Sequence, residues 1–362
     1  MHVRELQIPK TMRAVLLHGH GGFDQLEYRA DVRVPMPSAG EVLIRIGAAA
    51  INNTDINTRI GWYSSSVTGG TQRPGYQALA SAEEAAWNGQ QINFPRIQGA
   101  DACGRVVAVG AGVDCARIGE RVLVDPLLRP TAPDEQFGYF GSERDGAFAD
   151  FATVPAANAC KITSELSDVE LASFPCSYSA AENMLTKAQV GAGELIMVTG
   201  ASGGVGSAAV QLAKRRGANV SAVTSRSKAA VISMLGACKV LERDADIIAE
   251  SGRDSVDVVV DVVGGRQFAH LLEALKRGGR YAVAGAIAGA VVELDLRTLY
   301  LKDLRMLGCT VLEPEVFGNL VRYIERGEIR PLVSATYPLS EVVAAQRNFL
   351  AKSHTGKIVL TP

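Results

Sequence analysis

The chain has 362 residues, 47% hydrophobic and 21% charged, with a formal net charge of -1. That length exceeds what a single hydrophobic core organises, so two domains are expected. The near-neutral balance gives no electrostatic case for nucleic acid or an anionic membrane as partner, and no apolar run reaches the ~18 residues of a membrane-spanning helix.

The opening MHVRELQIPKTMRAVLL lacks a signal-peptide core with a small-residue cleavage site. Cys103, Cys115, Cys160, Cys176, Cys238 and Cys309 are scattered, with no C-x-x-C pair. Free thiols in a reducing cytoplasm are therefore expected rather than a disulfide framework. The first 160 or so residues alternate short strand patterns with Gly and Pro turns. The clearest strands are Ala14 to Leu17, Glu41 to Ile46, Gly104 to Val109, Arg121 to Val124 and Ala149 to Val154. His18 and His20 stand in a glycine-rich turn that reads as a surface hairpin rather than a metal site. Residues 64 to 94 interrupt the strands, with Ala80 to Trp87 as a short helix. A segment this long is a functional lid or a disordered excursion.

From about residue 168 the pattern changes to alternating strand and helix, which implies a parallel, doubly wound sheet. Strands are expected at Leu195 to Val198, Asn219 to Thr224, Lys239 to Leu241, Val256 to Asp261, Arg280 to Ala284 and Arg305 to Val311. Helices are expected at Ala208 to Lys214, Ala229 to Leu235 and Phe268 to Lys276. The tail reads as a helix from Pro314 to Arg326, a second from Glu341 to Leu350 with Ser340 as N-cap, and a strand at Lys357 to Leu360.

Between the first two of those later strands lies Ala201-Ser202-Gly203-Gly204-Val205-Gly206, a dinucleotide fingerprint with alanine in place of its first glycine. Gly203 lets the backbone approach a pyrophosphate, Gly206 lets the helix pack closely on the strand, and the helix N-terminus offers unpaired N–H groups to the anion. An NAD site carries Asp or Glu about 20 residues further on, to hold the ribose 2′-hydroxyl. Here the strand ends in Ser225-Arg226-Ser227-Lys228, and no acid occurs before Glu242. Arg226 and Lys228, with Ser225 as a neutral donor, favour a 2′-phosphate and hence NADPH over NADH; the bland alternative is a solvated loop. Arg243, after the third strand of this region, either closes over that phosphate or faces water.

A β-rich domain, a central Rossmann unit and a short C-terminal return resemble the medium-chain dehydrogenase/reductase superfamily. The likeness rests on Ile51-Asn52-Asn53-Thr54-Asp55-Ile56-Asn57, Phe94-Pro95-Arg96-Ile97-Gln98-Gly99-Ala100-Asp101, Gly119-Glu120-Arg121-Val122, the glycine turn, and Gly356-Lys357-Ile358-Val359-Leu360. It implies an α/β fold with a GroES-like catalytic domain (1–167 with 312–362) and a Rossmann domain (168–311). It also adds Gly285 and Lys357 as cofactor-binding residues and implies a homodimer, with an exposed edge near Val291 to Leu294 and Arg305 to Val311.

Zinc enzymes of that superfamily use a Cys, a His followed by Glu, and a second Cys. The matching positions here are Asn52, Ala100 with Asp101, and Cys176, of which only Cys176 can bind metal. The four-cysteine structural lobe is missing as well, since no Cys occurs between 115 and 160. No metal is expected. Asn52 to Tyr63 (NNTDINTRIGWY) instead resembles the zinc-free quinone oxidoreductases and 2-enoyl thioester reductases, with departures at Asn53, where many carry proline, and at Ala180. The resemblance makes Tyr63 the proton donor; the bland alternative is a packing tyrosine. Asn52 is expected to line the cleft and bond ribose or substrate oxygen, with Thr54 beside it; Asp55 is expected to make a structural hydrogen bond. Cys176 reads as a small buried hydrophobe rather than a nucleophile. Arg59 and Arg96 either bind an acidic substrate or are solvated. The readings left open are an NADPH-dependent reductase of activated C=C bonds or quinones, a metal-free carbonyl or alcohol oxidoreductase, and a non-catalytic NADPH-binding protein.

Overall fold

The computed structural model describes residues 8–71 and 86–362. The helix expected at Ala80 to Trp87 falls, apart from its last two residues, outside them.

Two sheets organise the chain. The first has seven strands in the order Ala159–Lys161, Arg121–Val124, Cys103–Val109, Glu41–Ala50, Lys357–Thr361 and Val333–Pro338, with Phe151–Pro155 also paired to Glu41–Ala50. The closing strand lies antiparallel on that long strand, Val359 opposite Ala50. The last residues of the chain are thus folded into its first domain. Thr11–Leu17, Leu26–Arg33 and Arg96–Ile97 form a small sheet beside it. The second large sheet has six parallel strands, in the order Lys239–Glu242, Asn219–Thr224, Leu195–Val198, Val256–Asp261, Leu275–Val283 and Arg305–Gly308. That is the doubly wound order, with its switch point beside the central strand Leu195–Val198, where ligands bind at the carboxyl ends of the strands. Its central strands read LIMV and VDVVVD because both faces are covered, so no polar alternation is needed.

The structure departs from the expected elements where local sequence carries little signal. The helix after the glycine turn begins at Gly204, not Ala208. The last helix runs Val342–Ala351; its N-cap is Glu341, and Ser340 sits in the preceding 3-10 turn and caps nothing. The final strand of the parallel sheet stops at Gly308. Helix Pro175–Lys187 has no counterpart among the expected elements. It packs against the glycine-turn helix, and its N-cap Phe174 and its buried Tyr178, Ala181 and Met184 join the core shared with Ile196, Val198 and Leu212. Among the described residues, no helix is long and apolar enough to cross a membrane.

Candidate active site

The two sheets face each other across a cleft of about 650 Å³. One wall comes from the helix Asn53–Ile60, the turn after it, Trp87, Tyr139 and the start of helix Pro175–Lys187. The other comes from the glycine turn, the strand ends of the parallel sheet and the segment before the closing strand.

At the floor lies a buried polar network. Asp101 is fully buried and Lys357 is 2% exposed. Lys357 Nζ lies 2.7 Å from Asp101 Oδ2, donates to Ser177 Oγ at 3.2 Å, and donates to Asn52 Oδ1. All three N–H groups of the ammonium are therefore used. Asn52 is equally committed: its Nδ2 donates to Ala50 O at 3.2 Å and Asp101 Oδ2 at 2.9 Å, and its Oδ1 also accepts from Ser177 Oγ at 3.4 Å. Asn52 lines the cleft, as expected, but has no free group for ribose or substrate. The remaining oxygen of Asp101 accepts the Cys176 N–H at 2.6 Å.

A catalytic zinc needs three protein ligands and an open position. Ala100 offers none, Asn52 is saturated, and the ammonium of Lys357 faces the same oxygens a cation would approach. Burial pushes the Cys176 thiol up to about 12, away from the thiolate that metal requires, and Tyr139 Oη donates to its sulfur at 3.3 Å. Among the described residues, no group of three or more His, Cys, Asp and Glu is placed to hold a metal. The residues at this corner do not fit zinc.

Above the network, the helix Asn53–Ile60 begins with the Asn52 N–H donating to Asp55 Oδ2 at 2.7 Å, while Gly99 N–H donates to Asp55 Oδ1 at 3.1 Å. Asp55 is structural, and burial raises its carboxyl to about 7. The helix ends at Gly61 in the left-handed region (φ 70°), a conformation that suits glycine, and the chain turns back so that Trp62 N–H donates to Asn57 O at 2.8 Å. Tyr63 is thereby laid over the helix, its Oη donating to Thr54 Oγ1 at 3.1 Å. Tyr63, Thr54 and Asn57 all line the cleft. Burial pushes the Tyr63 hydroxyl up to about 12, against the hydrogen bonds of Thr54 and Asn57, so it holds its proton at neutral pH. Asn57 is 8% exposed, and its Oδ1 has no partner among the described residues.

At the other end, Ser202, Gly203, Gly204, Val205 and Gly206 line the cleft, as does Gly285; Ala201 is buried beneath them. A Cβ on Gly206 would stand 2.2 Å from Gly200 O, so the close packing of helix on strand does require glycine there. A Cβ on Gly204 would meet Ser177 Oγ at 2.4 Å and Lys357 Cδ at 3.0 Å, and Gly356 N–H donates to Ser202 O at 2.9 Å. The glycine turn and the buried network are thus packed on each other. The free N–H groups at the start of helix Gly204–Arg215, which has no side-chain cap, fit a pyrophosphate.

The cations separate. Lys228 lines the cleft, with Nζ donating to Lys352 O at 2.7 Å and to His354 O at 2.5 Å, and Arg243 lines it too. Arg226 does not: its side chain is 91% exposed and lies 3.4 Å from Glu242. Ser225 also stays outside the lining, its Oγ 3.3 Å from Ser227 Oγ. In their place the structure brings in Lys352. Its Nζ donates to Asn53 Oδ1 at 3.1 Å, and burial and then Lys228 lower it to about 8. Lys352 lies in the left-handed region (φ 54°), just past the last helix, and no sequence motif marked it.

Asp261 likewise carries no sequence motif. Fully buried, it accepts from Thr199 Oγ1, Tyr281 Oη, and the N–H groups of Val263 and Gly264, shaping the loop at the cleft edge. Neither Arg59 nor Arg96 lines the cleft. Arg59 is 3% exposed, donates to Gln346 Oε1 and Gly21 O, and covers the Phe23 ring; Arg96 pairs with Asp145 at 2.9 Å. His18 pairs with Glu27, and His20 bonds Thr58 O, in the connection between strands Thr11–Leu17 and Leu26–Arg33.

This architecture and glycine turn define a dehydrogenase of the two-domain, nucleotide-binding type. Residues 38–164 match the alcohol dehydrogenase GroES-like domain, and residues 204–326 match the zinc-binding dehydrogenase family. The second match contains none of Asn52, Ala100 or Cys176. The chain belongs to the medium-chain dehydrogenase/reductase superfamily and is an oxidoreductase with an NAD(P)-binding dehydrogenase fold. It is 47% identical to a provisionally named alcohol dehydrogenase from Sinorhizobium meliloti 1021, with a TM-score of 0.88 over 99% of this chain and 98% of that one. It is 28% identical to the acryloyl-coenzyme A reductase of Metallosphaera sedula, over 97% of this chain and 100% of the relative. It is 27% identical to an NADPH-dependent alkenal/one oxidoreductase, chloroplastic, of Arabidopsis thaliana, over 99% of this chain and 81% of the relative.

Proposed function

We propose that this protein is a zinc-independent, NADPH-dependent reductase of activated C=C bonds or quinones. One observation carries the reading: a protonated tyrosine hydroxyl lines a cleft whose metal position is closed by Asn52, Asp101 and Lys357. The similarity to an acryloyl-coenzyme A reductase and an alkenal/one oxidoreductase supports the same chemistry.

In this reading the glycine turn, Gly285, Lys228, Arg243 and Lys352 hold the cofactor, which when bound supplies hydride to the β-carbon of the substrate. The new C–H bond leaves an enolate, and a proton must reach the α-carbon. Tyr63 gives that proton, and Thr54 Oγ1 then donates to the phenolate left behind. Lys357 and Asn52 act as positioning residues, holding the start of the helix Asn53–Ile60 against the glycine turn. The exposed side chains of Val291, Leu296, Tyr300, Leu301 and Met306 beside the edge strand Arg305–Gly308 favour a homodimer, and the six free cysteines favour the cytoplasm.

The test is NADPH oxidation measured against enones, enoyl thioesters, quinones, aldehydes and ketones. Turnover on conjugated C=C bonds or quinones supports the reading. Turnover confined to isolated carbonyls, the activity suggested by the alcohol dehydrogenase likeness, would overturn it.

A further inference from the structure

The two walls of the cleft differ in charge. Among the described residues, every charged side chain lining it belongs to a strand of the parallel sheet, to the turn that follows one, or to residues 352–357. The wall built from Trp62, Tyr63, Trp87, Tyr139, Ala180 and Leu312 carries none among the described residues.

That wall is also held by stacking and hydrogen bonds. Trp87 and Tyr139 stack with ring centroids 5.0 Å apart and 25° between planes. The Glu143 carboxylate accepts Tyr139 N–H at 2.7 Å and Asn88 N–H at 2.9 Å, and Ser142 Oγ accepts Trp87 N–H at 3.2 Å. Tyr139 Oη is tied to Cys176, at the former metal corner. Ala100, where zinc enzymes of the superfamily carry histidine, packs in one cluster with Tyr139, Leu127, Leu312 and Val316. A small residue at that position leaves space for the Tyr139 ring.

We infer that the Trp87–Tyr139 pair is a specificity-determining platform that selects a neutral, planar substrate, an α,β-unsaturated ketone conjugated to an aromatic ring. The inference rests on the reductase reading above and names its substrate class. A planar π-system gains from a stacked, preorganised aromatic face. A carboxylate or phosphate desolvated against the same wall finds no cation to pair with among the described residues. Phosphate-bearing acyl thioesters are accordingly poor substrates.

Three substrates are compared with NADPH: benzylideneacetone, methyl vinyl ketone and acryloyl-coenzyme A. The expected order places benzylideneacetone first in kcat/KM. Trp87→Ala should reduce the benzylideneacetone to methyl vinyl ketone ratio by about tenfold, the combined worth of one aromatic contact and its burial. Trp87→Phe, which keeps a π-face, should restore most of that ratio. A second readout needs no turnover. The chain has only two tryptophans, Trp62 and Trp87, and both line the cleft, so saturated benzylacetone should quench their emission on titration. C=C reduction with acryloyl-coenzyme A preferred, or a ratio indifferent to Trp87→Ala, would overturn the inference while leaving the reductase reading standing. Quenching by benzylacetone without reduction of any of the three would overturn the reductase reading and keep the platform.

Discussion

Two corners of the cleft share the helix Asn53–Ile60 and have opposite characters. At its N-terminal end, Asn52, Asp101, Ser177 and Lys357 form a network in which the ammonium and the Asn52 amide have every hydrogen-bonding group engaged. Along its cleft side, Thr54 in its first turn and Tyr63 in the turn that follows it present hydroxyls to the cleft, and Asn57 holds an acceptor with no partner among the described residues. The closed corner is suited to holding shape and the open one to chemistry. Being polar and lining the cleft is therefore not enough to make a residue reactive; what separates the two corners is whether donors and acceptors remain free.

The sharpest way to break that contrast is at the open corner. Tyr63→Phe removes one hydroxyl and keeps the ring, so NADPH binding should be nearly unchanged while kcat on an enone falls by about 10²–10⁴-fold. A raised KM with kcat retained would make Tyr63 a substrate-orienting residue, and unchanged kinetics would make it a packing one. Quinone reduction should be affected less, because quinone oxygens take protons from water.

The closed corner should respond in stability. Lys357→Met leaves Asp101 as an uncompensated buried carboxylate, a loss of about 3–5 kcal/mol in unfolding free energy. Adding Asp101→Asn removes the orphaned charge, and the double variant should recover much of the loss in denaturant titration. A Lys357→Met protein as stable as the parent would show that the pair is not what holds this corner.

Much of this layout is legible in the sequence because its signals are local. The glycine turn sits between an apolar strand and a helix, and runs such as VDVVVD announce buried parallel strands. Other elements are silent. Helix Pro175–Lys187 is buried on nearly all sides and carries Ser177, Ser179, Glu182 and Asn183 inside, so it has no amphipathic stripe; Glu182 is paired with Arg216, the C-cap of helix Gly204–Arg215. Strand Leu26–Arg33 is mostly exposed and charged, and hides its period for the opposite reason. In the site, Tyr63, Thr54 and the glycine turn belong to short motifs. The Asp101–Lys357 pair joins distant parts of the chain, and Trp87 meets Tyr139 only once both have folded, so no spacing marks either. Arg226 and Lys228, two residues apart in one 3-10 turn, read alike in sequence and diverge in the fold.

That divergence gives a smaller prediction at the cofactor end. Lys228→Ala should weaken NADPH by about 1.5–3 kcal/mol, the worth of a charged hydrogen bond to phosphate, and leave NADH nearly untouched. Arg226→Ala, at a side chain turned to solvent, should cost less than 1 kcal/mol for either cofactor. The pH dependence adds a check. The Lys352 ammonium is lowered to about 8 by burial and by Lys228, so it is charged below that pH and neutral above. A phosphate favours the charged form, and NADPH affinity should therefore fall as pH rises through about 8, by at most roughly tenfold per unit. NADH affinity should stay flat. A parallel decline for both cofactors would remove Lys352 from the phosphate site.

In the proposed reading an internal ammonium, not a metal, fills the corner where zinc enzymes of the superfamily carry their ligands. Elemental analysis of the active protein before and after exhaustive chelation tests it directly. The expected result is no stoichiometric zinc and full activity throughout; one zinc per chain, lost together with activity, would contradict the account.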